Sequence, residues 1–144
     1  MLVLNKIYEI FKPKMRVPFI ALGQEEGIRE LVHDFYFIMN TDPKAIHCKE
    51  VHPLNTEGNV PVEVEEKLYW FLVGFSGGPQ LFMEKVGPPR MRMRHHHIRI
   101  SSIERDEWLY CMKKALKKKK LNRLERKMIM NSFIALAFRI QNIQ

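Results

Sequence analysis

The side chains most able to do chemistry are gathered in one stretch, Arg94-His95-His96-His97. Three consecutive imidazoles suggest a metal centre first. Neighbours on a helix diverge by about 100°, so the three cannot converge on one ion there. In a strand only His95 and His97 share a face. No paired carboxylates, HExxH or CxxC motif accompanies them, and a zinc enzyme has weak support. A better geometric fit is a single imidazole turned into an apolar cavity while its neighbours face water. One histidine holds haem iron in that way. On residue type alone, an ordinary structural histidine stays open as the alternative.

Composition narrows the chemistry further. Cys48 and Cys111 are the only cysteines and form no CxxC pair, too few thiolates for an iron–sulfur or zinc-ribbon site. Reduced thiols in a cytoplasmic setting are expected. The net charge is +8, from 24 Lys+Arg against 16 Asp+Glu. Much of the excess lies in Arg90–Arg99 and Lys113–Lys120. A basic chain raises the question of nucleic acid. A lysine run at a helix end is, however, a solvated face suited to the negative end of the helix dipole, so no nucleic-acid partner is expected. No run of about 18 apolar residues exists, so no membrane span is expected.

The elements that must position the histidines follow from apolar spacing. With 144 residues and 46% hydrophobic content, the chain fits one domain with a real core. Ile28, Leu31, Val32, Phe35, Tyr36 and Met39 form a helical stripe over 25–39, closed by Asp42-Pro43. Residues 44–61 read as an irregular connection with at most a short helix. Val64, Leu68, Phe71, Leu72 and Phe75 mark a second helix, stopped by Ser76-Gly77-Gly78-Pro79. A short segment, Gln80–Val86, leads through Gly87-Pro88-Pro89 to the basic stretch 90–97. Ser102 is the predicted N-cap of the next helix, with Arg105 at its third position, so a simple cap is expected rather than a capping box. That helix presents Trp108, Met112 and Ala115. Residues 121–144 form the last helix, with Ile129, Phe133, Leu136 and Ile140 on its stripe. No strand alternation persists, and the chain reads as all-α with about four main helices. Residues 1–19 lack the long apolar stretch of a secretory signal. They read as a short extension packed on a domain spanning 20–144, with an amphipathic surface segment as the alternative.

Three segments carry a family resemblance: Gly77-Gly78-Pro79, Gly87 through His95, and Ile103 through Met112. In order and spacing they resemble the group II truncated haemoglobins, whose pattern runs GGP, G-x-P-R-x-R-x-R-H and R-D-x-W-L-x-C-M. The likeness extends upstream to Leu22–Ile28 and Phe35-Tyr36, and downstream to Ala135-Leu136-Ala137 and Asn142. It covers roughly residues 20–142. Departures fall at Gly23-Gln24, where the family often has two glycines, and at His97-Ile98, where it often has Pro and Phe. The connection at 55–62 is also longer than usual.

The resemblance implies a truncated-globin, two-over-two helical sandwich around haem b (iron protoporphyrin IX). It implies that His95 is the proximal ligand and that Arg94 neutralises a propionate. It picks out Tyr36 and Trp108 as hydrogen-bond donors to a bound ligand, since buried Tyr and Trp seek a partner. His52 matches a position at the haem edge, from which it is expected to donate to ligand or to Tyr36. Val64 and Leu68 match the distal helix, with Phe71, Leu72 and Phe75 continuing the haem contact. Phe82, Met91, Ile98 and Met112 complete the implied apolar pocket. The partners implied are diatomic gases: oxygen, nitric oxide and carbon monoxide. Three functional classes stay open: an oxygen-binding haem protein, a haem enzyme detoxifying nitric oxide or peroxide, and, from the basic charge and against the resemblance, a basic helical nucleic-acid binder without haem. The enzyme reading requires an external reductase, since no reductase sequence lies within these residues. Either a monomer or a homodimer is compatible with the sequence.

Overall fold

The computed structural model describes residues 1–11 and 14–144. Among these residues every regular element is helical. In chain order they are α1 (Leu2–Phe11), α2 (Pro18–Ala21), α3 (Gln24–Thr41), a 3₁₀ turn (Pro43–Ala45), α4 (Ile46–Glu50), α5 (Val62–Phe75), α6 (Leu81–Lys85), α7 (Met91–Arg94), α8 (Ser102–Leu116) and α9 (Arg123–Ile140). The long helices α3, α5, α8 and α9 are the four expected main elements. They form two pairs, α3 with α5 and α8 with α9, joined through the contact between α3 and α8.

The predicted stripe of α3 is its buried face. Ile28, Leu31, Val32, Phe35, Tyr36 and Met39 are all buried, and Ile38 joins them. Asp42 ends the helix and fastens its neighbours. Its carboxylate accepts from the Lys44 amide at 3.0 Å, the Tyr110 hydroxyl at 2.6 Å and Lys114 Nζ at 3.2 Å. The Tyr110 hydrogen bond, then the Lys44 amide, hold that carboxyl at about 2. One acidic side chain therefore stops α3 and clamps it to α8.

The glycine pair after α5 works by close approach. Gly77 sits at φ +101°, where side chains are strained. A Cβ on Gly78 would stand 2.6 Å from the Phe19 ring and 2.9 Å from the Val73 carbonyl. The turn thereby seats α2 on the end of α5, and the Phe19 amide donates to the Ser76 carbonyl at 2.9 Å. Ala21 and Leu22 enter the core here.

The connection 44–61 carries the end of the 3₁₀ turn and one short helix, α4, as expected, and the segments around Phe82 and Met91 are the short helices α6 and α7. Two local expectations are corrected. The last helix is shorter than 121–144, because Asn122 caps its start and the chain leaves it after Ile140. The cap of α8 is Ser101, not Ser102. Ser101 is extended, its side chain accepts from the Ile103 amide, and Glu104 at the third position reaches back to the Ser101 amide at 3.0 Å. This is a full capping box. The Ser101-x-x-Glu104 spacing encoded it, but taking Ser102 as the cap shifted the register by one.

Ser101→Ala should lower stability by about 1 kcal/mol, the usual cost of a lost cap, whereas Ser102→Ala should change it by less than about 0.5 kcal/mol. Chemical denaturation of the two variants checks the assignment. Equal effects would contradict it.

Candidate functional site

The helices enclose a cavity of about 650 Å³. That volume lies within the range of about 300–1,000 Å³ common to cofactor and ligand sites. Val64, Leu68 and Phe71 of α5, Phe82 of α6, Met91 and Ile98 around α7, and Leu136 and Ile140 of α9 make its walls mainly apolar. Tyr36, His52, Arg94, His95 and Trp108 also face it. Three residues expected at the site do not line it. Leu72 and Met112 are buried in the core, and Phe75 stacks between Phe71 and Phe133 at 5.3 and 6.0 Å. Leu72 and Met112 are packed into the core and Phe75 is 41% exposed, because helical spacing places a residue on a stripe without saying how far along that stripe the cavity reaches.

His95 follows directly on α7. Its Nδ1 lies 2.6 Å from the Met91 carbonyl, which can only accept, so Nδ1 carries the proton and donates. The Nε2 lone pair is left free for a metal or a proton. His96 and His97 are exposed at the rim, and the His96 Nδ1 is turned onto the Met93 carbonyl. Among the described residues no three His, Cys, Asp or Glu side chains converge as a ligand set. The three histidines therefore do not act as one site.

Asn142, beyond the last helix, holds the chain that carries His95. Its amide nitrogen donates to the His95 carbonyl at 3.1 Å and the Ile98 carbonyl at 2.6 Å. Its amide oxygen accepts from the Ile100 N–H at 2.9 Å. One side chain thus fixes the entire turn from His95 to Ile100. Sequence reading included Asn142 in the resemblance without a role; a polar residue just past a helix end carries no signal of a partner more than 40 positions away.

His52 faces the cavity from the far end of α4. Glu107 of α8 places α4, accepting from the Cys48 amide at 2.6 Å and pairing with His47 at 2.7 Å. The His52 Nδ1 donates to the Cys48 carbonyl at 2.7 Å. Burial lowers the His52 pKa, partly against that hydrogen bond, and the His95 ring lowers it further. The ring is therefore neutral near pH 7 and presents a lone pair at Nε2. In this tautomer Nδ1 donates to the Cys48 carbonyl and Nε2 is an acceptor.

Tyr36 and Trp108 are braced by Phe35, a fully buried ring 4.9 Å from Tyr36 and 5.3 Å from Trp108, both edge-on. Trp108 also meets Phe133 at 5.9 Å. Neither the Tyr36 hydroxyl nor the Trp108 indole N–H finds a partner among the described side chains. Yet no fully buried side-chain nitrogen or oxygen there lacks one, so both donors open onto the cavity. Burial pushes the Tyr36 pKa far up, and the hydroxyl keeps its proton.

The cations and the acid of the wall differ in availability. Arg94 donates to the Pro89 and Pro88 carbonyls at 2.8 and 3.0 Å and lies over Phe82. It thus braces the turn before α7 while facing the cavity. Lys67 and Arg105 also line it, and spacing gave no hint of either. Arg105 is held by Gln141 at 2.7 Å and covers Phe138 at 4.0 Å. Glu104 is committed to the α8 cap, so it is not a free acid. Val51, Pro53, Val86 and Ile100 are among the further lining residues the sequence missed; they lie in connecting segments, where no periodicity marks an inward face.

This arrangement fits a flat, mainly apolar group bearing carboxylates and a coordinating metal. It offers one free imidazole nitrogen, apolar walls, cations and two unpaired donors. The comparisons agree. The family model for bacterial-like globins matches residues 18–142. Group 2 truncated hemoglobin YjbI of Bacillus subtilis is 34% identical over 99 residues, 69% of this chain and 68% of that protein. Among solved structures, the cold-adapted truncated hemoglobin of the Antarctic bacterium Pseudoalteromonas haloplanktis superposes with a TM-score of 0.81 at 36% identity, covering 90% of this chain and all (100%) of that one. The group II 2-on-2 hemoglobin of Agrobacterium tumefaciens gives 0.80 at 34% identity, covering 93% and 100%. The chain belongs to the bacterial-like globins, a family of haem proteins, and within them is similar to the group II truncated haemoglobins.

Asn142→Ala should free the turn after His95. Hydrogen exchange of the Ile98 and Ile100 amides should quicken by about tenfold or more, since their hydrogen bonds become local openings. Amides of α3 should stay at their original rates. Unchanged exchange at Ile100 would show that Asn142 does not hold the turn.

Proposed function

We propose that the cavity binds haem b through His95 and that the protein reversibly binds oxygen and other diatomic gases there. The observation that carries this reading is the His95 Nδ1 hydrogen bond to the Met91 carbonyl, which leaves Nε2 as the free donor atom on the cavity side. Haem, when bound, supplies an iron with an open coordination position for a diatomic ligand. Apolar side chains such as Leu68, Phe71 and Phe82 exclude water from the ring. Lys67, Arg94 and Arg105 are suited to its propionates, because Arg and Lys pair favourably with carboxylates.

Tyr36 and Trp108 act on the ligand. Each has one polar hydrogen and no hydrogen-bond partner among the described residues, and each is held in place by Phe35. Hydrogen bonds to a ligand that gains negative charge are each worth about 1.5–3 kcal/mol. Since about 1.4 kcal/mol is tenfold, two such donors slow ligand escape by orders of magnitude. His52, neutral with its Nε2 lone pair toward the cavity, packs edge-on against the Tyr36 ring at 5.9 Å and helps fix where that ring stands.

His95→Ala should abolish the Soret band of the purified, haem-supplemented protein or shift it to that of weakly held haem. His96→Ala and His97→Ala should leave it in place. A normal band and normal carbon monoxide binding in His95→Ala would refute the assignment.

Trp108→Phe and Tyr36→Phe should each speed oxygen dissociation by about tenfold or more, on the hydrogen-bond energies above. Carbon monoxide, less polarised when bound, should respond less. In the double variant the effects should not add, because the two donors share one ligand. Stopped-flow rates for both gases provide the test. Equal acceleration of the two gases would make both residues simple walls. Sustained nitric oxide consumption with an added reductant would move the assignment to a haem enzyme.

A further inference from the structure

We infer that α1, together with the lysine run beside its attachment point, docks this protein on an anionic lipid surface. The family match begins at residue 18, so α1 lies outside the globin. At about 100° per residue, Val3, Leu4, Ile7 and Ile10 share an arc of about 120° on one side of the helix. In a globular chain such a face turns to the core. Here all four are exposed, Leu4 at 72% and Ile10 at 74%. Met15 and Val17 continue the exposed apolar surface toward the domain.

The segment that carries this face is mainly basic in sequence. Residues 1–16 contain Lys6, Lys12, Lys14 and Arg16 against a single acid, Glu9. The chain after α1 is tied to the C-terminal end of the lysine run. The Lys14 carbonyl accepts from the Asn122 side chain at 3.0 Å. The Arg16 guanidinium donates to the Lys120 carbonyl at 3.1 Å and to Glu125 at 2.8 Å. From Phe11 to Lys14 the chain can span at most about 11 Å, and α1 is about 15 Å long. The C-terminal end of α1 therefore lies within about 11 Å of Lys14, which is tied to Asn122 beside the lysines.

The run divides into structural and unpaired lysines. Lys114, Lys118 and Lys119 pair with Asp42, Asp34 and Glu30. Lys119 also donates to the Gly27 carbonyl at 2.6 Å. Lys117 and Lys120 are exposed and make no ion pair among the described residues, and Arg123 is exposed next to them. An exposed apolar arc flanked by cations matches the interface of an anionic bilayer, where the arc enters the headgroup region and the cations meet lipid phosphate. Nucleic acid suits the cations but not the apolar arc. A second copy of this chain suits the arc, but would bring two basic patches together.

Co-sedimentation of the full chain with vesicles tests the proposal. Vesicles of phosphatidylcholine and phosphatidylglycerol in equal parts should bind it, phosphatidylcholine alone should not, and added salt should weaken binding. Leu4→Gln/Ile7→Gln, which keeps good helix formers, should weaken binding about tenfold or more. Lys117→Glu/Lys120→Glu should weaken it several-fold and flatten its salt dependence. Both variants should keep the wild-type melting curve by circular dichroism, which shows that the globin is intact. No binding to the mixed vesicles, or full binding by Leu4→Gln/Ile7→Gln, would overturn the inference. So would a concentration-dependent dimer abolished by Leu4→Gln/Ile7→Gln, which would assign the face to a second copy. Tighter binding to an oligonucleotide than to the mixed vesicles would also overturn it, assigning the lysines to nucleic acid.

Discussion

The constraint on which this structure depends is that a chain of 144 residues must hold open a cavity of about 650 Å³ without its own side chains filling it. Protein interiors otherwise pack as densely as organic crystals. Keeping side chains out of the middle requires that each wall element be fastened from behind. Two capping boxes do this at the starts of α8 and α9. The Asp42 carboxylate ties α3 to α8, and Glu107 ties α4 to α8. The second cap is also a long-range joint: Glu125, almost wholly buried, serves the α9 cap and binds Arg16 at 2.8 Å.

The same constraint explains how the polar groups of the site are held. A buried polar atom normally finds a hydrogen-bond partner. Here His95 and His52 each spend Nδ1 on a carbonyl four residues earlier in the chain. That local bond fixes both ring orientation and tautomer, and directs the remaining lone pair. Tyr36 and Trp108 are held differently, by an aromatic wedge with no hydrogen bond of their own. Phe35 orients both rings through edge contacts and leaves their donors uncommitted. The cavity thus combines two lone pairs and two free hydrogens, each set by a contact outside it.

Charge follows the same division of labour. Glu104 lies in the cavity wall but serves the α8 cap, and the Ser101 hydrogen bond lowers its pKa. Of the lysine run, Lys119 is a structural member that reaches back to α3, while Lys117 and Lys120 stay in solvent. A run of identical residues in sequence is therefore two different things in space, because a helix end turns its successive side chains in different directions.

The sequence by itself determined the helical class, the four long helices and the inward stripe of α3, because apolar spacing repeats over many residues and local backbone preferences agree with it. It also singled out His95, through a dense motif of fixed spacing, and Tyr36 and Trp108 with it. Tertiary structure alone decided which stripe residues reach the cavity. Leu68 and Phe71 do; Leu72 and Met112 are packed into the core and Phe75 reaches solvent, which depends on neighbours whose positions no local pattern contains. It alone decided that His52 commits Nδ1 to a carbonyl and leaves Nε2 as an acceptor, since that depends on the Cys48 carbonyl of α4, a short helix whose place in the connection the sequence did not fix. The role of Asn142 was hidden for the same reason. A hydrogen bond between positions 142 and 98 is a fact of chain return, and periodicity reports only on neighbours within a few turns.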